Sequence, residues 1–406
     1  MRILNLISSV DPAQGGVIEA VRQLQIEVEK LGHSWEVASL DAPDAPWVAS
    51  SPLRVHALGP GKSAYIFAPD FHRALGKLLP AYDVALVHGL WQYHAFGGWR
   101  ALRRAKMPYG VYPHGMLDPY FKRNFPLKHL KKLMFWPWSD FRVLRDASAV
   151  CFTCEGERVL ARQSFRFYRA REEVVGLGTS QPSEDPDDAR NSFFARFPEL
   201  KNQRFLLFLA RLHPKKGLDL LLEAFAQTDL PADWKLVIAG PDAGNWRAQL
   251  EEKYVSDDLK SRIIWTGMIA GDEKWGAFHA AEAFILPSHQ ENFGIAVAEA
   301  LARGLPVLIS HQVNIWREIE ASGAGLVADD TLEGTAQLLS RWAALPQTER
   351  DAMKSRAKAC FNAHFDIAGS ARKLVACLEN FERERGQVGD AAPSPSEARA
   401  SGRGSG

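Results

Sequence analysis

The sequence predicts an α/β protein made of two doubly wound, parallel-sheet domains facing each other across a cleft. Three observations carry that expectation. Short β-like apolar runs alternate with helical patterns from one end of the 406-residue chain to the other, which implies parallel strands covered by helices on both faces. The length exceeds the size at which a single hydrophobic core stops growing. A Pro-, Ser- and Asp-rich stretch, TSQPSEDPDDARNS at 179–192, separates two such alternating series, as a linker or surface excursion does. Residues 1–178 are therefore read as an N-terminal domain and 179–365 as a C-terminal one. Residues 366–385 are read as a helix returning to the first domain. The stretch from Gly386 to Gly406 has almost no large apolar residue and is read as a disordered tail.

In the first half the strands are RILNLISS, EVASL, VALVH, YGVY, AVCFT and EVVGLG. Between the first two, Val17, Ala20, Val21, Leu24, Val28 and Leu31 recur at helical spacing. The opening MRILNLISSV, which runs into Asp11-Pro12, reads as a strand and its loop, not as a secretion signal. The second half repeats the scheme with FLLFLA, KLVIAG, RIIWTG, AFILPS, PVLIS and GLV; Leu218, Leu221, Leu222 and Phe225 give one intervening helix its apolar stripe.

Composition narrows the function classes. A net charge of +1 gives no reason to expect a polyanion or nucleic-acid partner, and no apolar run approaches the ~20 residues of a membrane-spanning helix. Cys151 and Cys154 form a C-x-x-C, but no second close pair completes a zinc site. The four cysteines read as buried thiols, and a chain without a disulfide framework is expected in the cytoplasm.

The strongest chemical signal is PSHQENFGIAVAEALARGLPVLIS. Glu291 falls in a loop beyond a strand's C-terminal end, and Glu299 about one turn inside a helix that is apolar on nearly every face. A buried carboxylate needs hydrogen-bond donors. Either a salt-bridge partner or a ligand's vicinal hydroxyls, such as those of ribose, supplies them. The amides of Phe293, Gly294 and Ile295 open the same helix, where a phosphate is favoured, and glycine at 294 permits close backbone approach. In FLLFLARLHPKKGLDLLLEAF, Arg211 follows a buried strand and Lys216 stands just before the next helix. Cations there oppose the helix dipole unless an anion is bound. The pair fits a diphosphate, with Arg as a bidentate donor and Lys as a point charge. Lys215 reads as a solvated loop charge.

The Glu-x7-Glu spacing in ENFGIAVAE, followed by EALARGLPVL and preceded by ARLHPKKG, resembles the retaining glycosyltransferases of family 4, which have the GT-B fold. The resemblance is dense over the second half and looser over the first. It implies that Arg211 and Lys216 hold a donor diphosphate and that Glu299 holds the ribose. It also implies that Glu291 lies against the transferred sugar, with the amides of Asn292, Phe293, Gly294 and Ile295 around sugar and phosphate. TGMIAGDEKW resembles the part that contacts the base, through backbone near Met268 and Ile269. In SVDPAQGGVIEAV, Gly15 and Gly16 match the family's glycine-rich loop, although glycine is also the ordinary turn residue. His114, in VYPHGMLDP, is assigned by the resemblance to the donor sugar near the reaction centre. His88, in ALVHGLW, is read as structural.

The segment FKRNFPLKHLKKLMFWPWSDF carries Lys122, Arg123, Lys128, Lys131 and Lys132 with no acid before Asp140, interleaved with Phe121, Phe125, Leu130, Phe135, Trp136 and Trp138. Two readings stand side by side. A helix can pack its aromatic face into the core, or the stretch 121–138 can lie peripherally on an anionic membrane at the inner face of the cell.

The expected reaction transfers a sugar from a nucleotide-diphosphate donor to a glycan or polyprenyl-linked acceptor in surface polysaccharide assembly. Preplaced cations and helix amides carry the leaving charge, so no metal and no cofactor are expected. Asp185-Pro-Asp187 is formally an Asp-x-Asp pair but lies in the polar linker. The rival readings are a GT-B-type sugar-nucleotide epimerase or phosphorylase, and a non-catalytic homologue that binds sugar nucleotides.

Overall fold

The computed structural model describes residues 1–242 and 244–390, with side chains as far as residue 384. Thirteen strands are found among them: β1 (Arg2–Ile7), β2 (Ser34–Ser39), β3 (Arg54–Ala57), β4 (Val84–His88), β5 (Tyr109–Tyr112), β6 (Ala149–Phe152), β7 (Glu172–Val174), β8 (Arg204–Leu209), β9 (Trp234–Ala239), β10 (Ile263–Gly267), β11 (Ala283–Leu286), β12 (Val307–Ser310) and β13 (Gly325–Ala328). They form two sheets, ordered β3-β2-β1-β4-β5-β6-β7 and β10-β9-β8-β11-β12-β13. Every pairing in both is parallel. Strands such as Phe205–Phe208 and Ala283–Ile285 are fully buried, the near-continuous apolar runs expected of parallel strands covered on both faces.

Strand order reverses between β1 and β4 in one sheet and between β8 and β11 in the other. At such switch points the loops beyond the strands' C-terminal ends splay apart and leave a crevice for ligand. The loops holding Gly15, Arg211, Lys216 and Glu291 leave three of these four strands, β1, β8 and β11.

Three sequence readings change. β3 was not anticipated, because an edge strand reading RVHA with no buried position offers no apolar run. The supposed linker at 179–192 is half helix: residues Pro186–Arg196 are helical, and the Asp185 side chain caps them by accepting from the amides of Asp187 and Asp188. Phe193 on that helix is fully buried. Its backbone also lies so near helix Gly271–Ala280 that a Cβ on Gly276 would sit 2.0 Å from the Ala189 carbonyl oxygen. Asp185 is thus a helix cap, not half of an Asp-x-Asp metal motif. Residues 386–390 of the expected tail continue the last helix, Ile367–Asp390; the rest of the tail lies outside the described residues.

The chain forms two compact units. The first comprises 1–152, 162–175 and the described residues from 371 onward; the second comprises 153–161 and 176–370. Residues 153–161, inside the span expected for the first domain, thus belong to the second unit. The side-chain amide of Asn292 donates to Thr153 Oγ1 (3.1 Å), and a Cβ on Gly156 would meet the Asn314 carbonyl at 2.4 Å. All four cysteines are buried, and none of them is in a disulfide. No helix among the described residues is long and apolar enough to cross a membrane.

Candidate active site

In the second unit the site is built from the ends of β8 and β11. After β8 the chain emerges at Arg211, which is exposed and has no ion-pair partner among the described residues. His213 then caps a short 3-10 turn, Pro214–Lys216, its Nδ1 accepting from the Lys215 amide at 3.1 Å. Gly217 follows at φ +66°, and a Cβ there would lie 2.0 Å from the Pro287 carbonyl oxygen. Only glycine satisfies both the left-handed backbone and that approach, so the β8 loop is seated against the end of β11. This seating brings Lys216 to Glu291, and the two form a half-buried ion pair.

Lys215 is not the free surface charge the sequence suggested. Its Nζ donates to Gln290 Oε1 (3.1 Å), and its carbonyl accepts from Ser288 Oγ (2.7 Å) and the His289 amide (2.8 Å). Glu291 is fixed through its backbone, donating to the Gln312 carbonyl (3.0 Å) and accepting from the Asn314 amide (3.1 Å). The local field is positive. His213 is pressed toward its neutral form first by burial and then by Lys215, Arg211 and Lys216.

The following helix begins at Ile295, one residue later than the sequence suggested, with Gly294 as its N-cap at φ +77°. The amides of Val297 and Ala298 both bond the Gly294 carbonyl (2.8 and 3.2 Å). The amides before them are those a helix N-terminus leaves for a ligand. Phe293 is buried edge-on against Phe365, so only its backbone is available. Asn292 Oδ1 is buried without a partner among the described residues.

Glu299 is 5% exposed, and its Oε1 accepts from Lys274 Nζ at 2.7 Å. Of the two sources of donors the sequence left open, the protein supplies one, the salt-bridge partner. Lys274 was missed: it lies within TGMIAGDEKW, the segment read as base-contacting, but nothing in its spacing marks it as the partner of Glu299. Arg303, from the EALARG run, donates to the Glu299 carbonyl (3.2 Å) and to Glu184 Oε1 (2.7 Å), and stacks on Trp275 at 3.7 Å. Met268 is exposed and Ile269 buried, just beyond β10.

In the first unit, Asp11 caps a turn at Pro12–Gln14, Gly15 turns at φ +86°, and helix Gly16–Lys30 begins. A Cβ on Gly15 or Gly16 would meet nothing within 4 Å, so the loop borders open space. Asp41 braces its base, accepting from Ser9 Oγ (2.6 Å) and the Val10 amide (2.8 Å). His114 stands beyond β5 at φ +49° and is only partly buried. Its Nε2 lies 3.0 Å from His88 Nδ1, and His88 Nε2 lies 3.0 Å from Asn5 Oδ1. The three rings of His88, Tyr112 and His114 stack mutually at 5.3–5.4 Å. Burial lowers the pKa of His114 to about 4 and drives that of His88 well below the usual range. His88, read as structural, is therefore the partner of a candidate site residue.

The basic aromatic segment forms helices Tyr120–Asn124 and Pro126–Phe135. His129 is the buried residue of the longer one, whereas Leu127, Met134 and Trp138 are 81%, 64% and 67% exposed, with Leu130 and Phe135 also exposed. Trp136 is buried against Phe165. Most of the apolar face is thus not packed into the core.

Residues 189–359 match the family model for glycosyl transferases group 1, and residues 15–178 match that for glycosyl transferase 4-like domains. The chain is 29% identical over 146 residues to an uncharacterised glycosyltransferase of Methanocaldococcus jannaschii, spanning 35% of this chain and 37% of that protein. It is 25% identical over 342 residues to the alpha-monoglucosyldiacylglycerol synthase of Streptococcus pneumoniae, spanning 76% of this chain and 70% of that protein. The structure of Anabaena HepE in complex with UDP and glucose shares the fold, with a TM-score of 0.72 at 17% identity over 93% of this chain and 99% of that one. With a match in each half and the same two-sheet architecture, the chain belongs to the group 1 glycosyltransferases of family 4 type, with the GT-B fold.

Proposed function

We propose that the protein transfers a hexose from a nucleotide-diphosphate donor, with retention, to a glycan or polyprenyl-linked acceptor in surface polysaccharide assembly. The observation that carries this reading is the Lys216–Glu291 ion pair at the second sheet's switch point, with Arg211 on the same loop as Lys216 and the start of helix Ile295–Ala302 four residues beyond Glu291. When the anomeric carbon–oxygen bond breaks, its electron pair passes to the diphosphate. Arg211, Lys216 and the amides of Asn292–Ile295 receive that charge. The acceptor hydroxyl adds to the anomeric carbon on the same face, and its proton goes to the leaving phosphate. Glu299 anchors the ribose and the backbone at Met268 and Ile269 meets the base; the family resemblance assigns Gly15, Gly16 and His114 to the donor as well.

Protein cations do the work a divalent ion would do, so turnover is expected to survive EDTA. On this reading the enzyme works in the cytoplasm, with Leu127, Leu130, Met134 and Trp138 against the membrane; retention on anionic vesicles is the test of that contact. A relative named for a lipid product, glucosyldiacylglycerol, supports an acceptor held at a membrane.

The reading is tested by incubating the protein with UDP-, GDP- and ADP-sugars, with and without lipid-linked acceptors. Product mass and anomeric configuration are then read. A product with the donor's anomeric configuration, formed only with acceptor, supports it. Inversion, or epimerised donor in the absence of acceptor, refutes it.

A further inference from the structure

We propose that Asn5 and His88 are positioning residues that hold His114 as its neutral Nε2–H tautomer, so that it meets the donor sugar through Nδ1 as a hydrogen-bond acceptor. The proposal rests on the assignment of His114 to the donor sugar made above.

The direction of every bond in the chain follows from one fixed end. The backbone carbonyl of Glu36 can only accept, and Asn5 donates its side-chain N–H to it at 3.0 Å. The other face of the amide, Oδ1, is therefore turned to His88 Nε2 at 3.0 Å. An amide oxygen can only accept, so His88 carries its proton on Nε2. Asn5 and His88 are fully buried, and burial together with the neighbouring His114 and His94 disfavours an imidazolium at His88. A neutral His88 protonated on Nε2 has a bare Nδ1. His114 Nε2, 3.0 Å from that nitrogen, must then be the donor.

His114 is left with a bare Nδ1, to which no protein group bonds among the described residues. A half-turn of the ring would keep its stack on Tyr112 and His88 but put a carbon opposite His88 Nδ1, so the 3.0 Å hydrogen bond fixes which nitrogen faces inward. Its backbone is held at φ +49°, immediately beyond β5. His94 adds a second brace, donating from Nε2 to the His88 carbonyl at 2.8 Å.

The chemical consequence concerns charge. The transition state of glycosyl transfer carries positive charge at the anomeric centre. An imidazolium near it would raise the barrier by repulsion, whereas a lone pair does not. A bare nitrogen also accepts a bond from a sugar hydroxyl and cannot donate a proton to the leaving group. The relay thus makes His114 an orienting acceptor, not an acid.

The test uses the full chain with 15N-labelled histidine and a long-range 1H–15N correlation spectrum. The His114 signals are identified by their loss in His114→Gln. The expected spectrum has a protonated Nε2 and a bare Nδ1 at neutral pH. A proton on His114 Nδ1 overturns the proposal. In Asn5→Leu and His88→Phe, checked for folding by circular dichroism, the His114 signals should report mixed tautomers. kcat should fall about tenfold, with the donor KM changed by less than about twofold. An unchanged His114 spectrum in both variants overturns the lock. Mixed tautomers with wild-type kcat overturn the positioning role. If His114→Gln itself turns over normally, the assignment of His114 to the donor sugar has failed, and the tautomer lock is judged by the spectrum alone.

Discussion

At the scale of single residues, the candidate site is held by mutual pairing. Glu299 is buried with Lys274 as a cationic partner, and Glu291 shares Lys216. Removing one member of a buried pair leaves a charge in a poor solvent, which typically costs more than the pair was worth. Lys274→Met is therefore expected to lower stability by about 2–3 kcal/mol. Adding Glu299→Gln should recover a large part of that loss. Urea denaturation of the single and double variants measures both. A double variant no more stable than Lys274→Met would show that charge is not the cause. Sequence reasoning reached Glu299 because a carboxylate in an apolar helix stands out. Lys274 was invisible to it, since a lysine in GDEKW looks like any solvated helix residue. The same blindness hid Asn5 in RILNLISS, where a polar residue on a central strand becomes meaningful only beside His88.

At the scale of elements, the apolar runs of buried parallel strands were legible because both faces are covered, and all six strands of the second sheet were anticipated. The short edge strand β3 and the helix Pro186–Arg196 were not. In that helix a capping Asp, a Pro in the first turn and further acids imitate a linker until Phe193 and its burial are seen. The helix Pro126–Phe135 posed the opposite problem, because periodicity cannot say whether an apolar face meets core or solvent. Here it meets solvent, with basic residues beside it. The protein is expected to float with vesicles containing anionic lipid at low salt. Leu127→Glu with Trp138→Glu should abolish flotation without changing the melting temperature. Equal flotation of the double variant would remove this face from the account.

At the scale of the whole molecule, acid sensitivity follows from the first unit's histidines. His94 is fully buried, and burial lowers its pKa from 6.5 to about 4. The unfolded chain binds a proton near pH 6.5 that the folded chain refuses until about pH 4. Stability is therefore full above pH 6.5 and declines as pH falls toward 4. For His94 alone the loss by pH 5 is about 2 kcal/mol, and His88 and His114 act in the same direction. Urea midpoints for the first unit's transition at pH 7.5 and pH 5 measure the fall, and His94→Gln should make it shallower. A midpoint independent of pH would contradict the burial of neutral histidines.

The central claim is that Arg211, Lys216, Glu291 and the start of helix Ile295–Ala302 form a diphosphate site of a sugar-nucleotide enzyme. Calorimetric titration with UDP, GDP and ADP of the wild type, Lys216→Ala and Arg211→Ala tests it most directly. One nucleoside diphosphate should bind the wild type and lose at least about tenfold in affinity in each variant, while the corresponding nucleoside monophosphate is affected less. Equal binding of the nucleoside diphosphate by all three proteins would contradict the account.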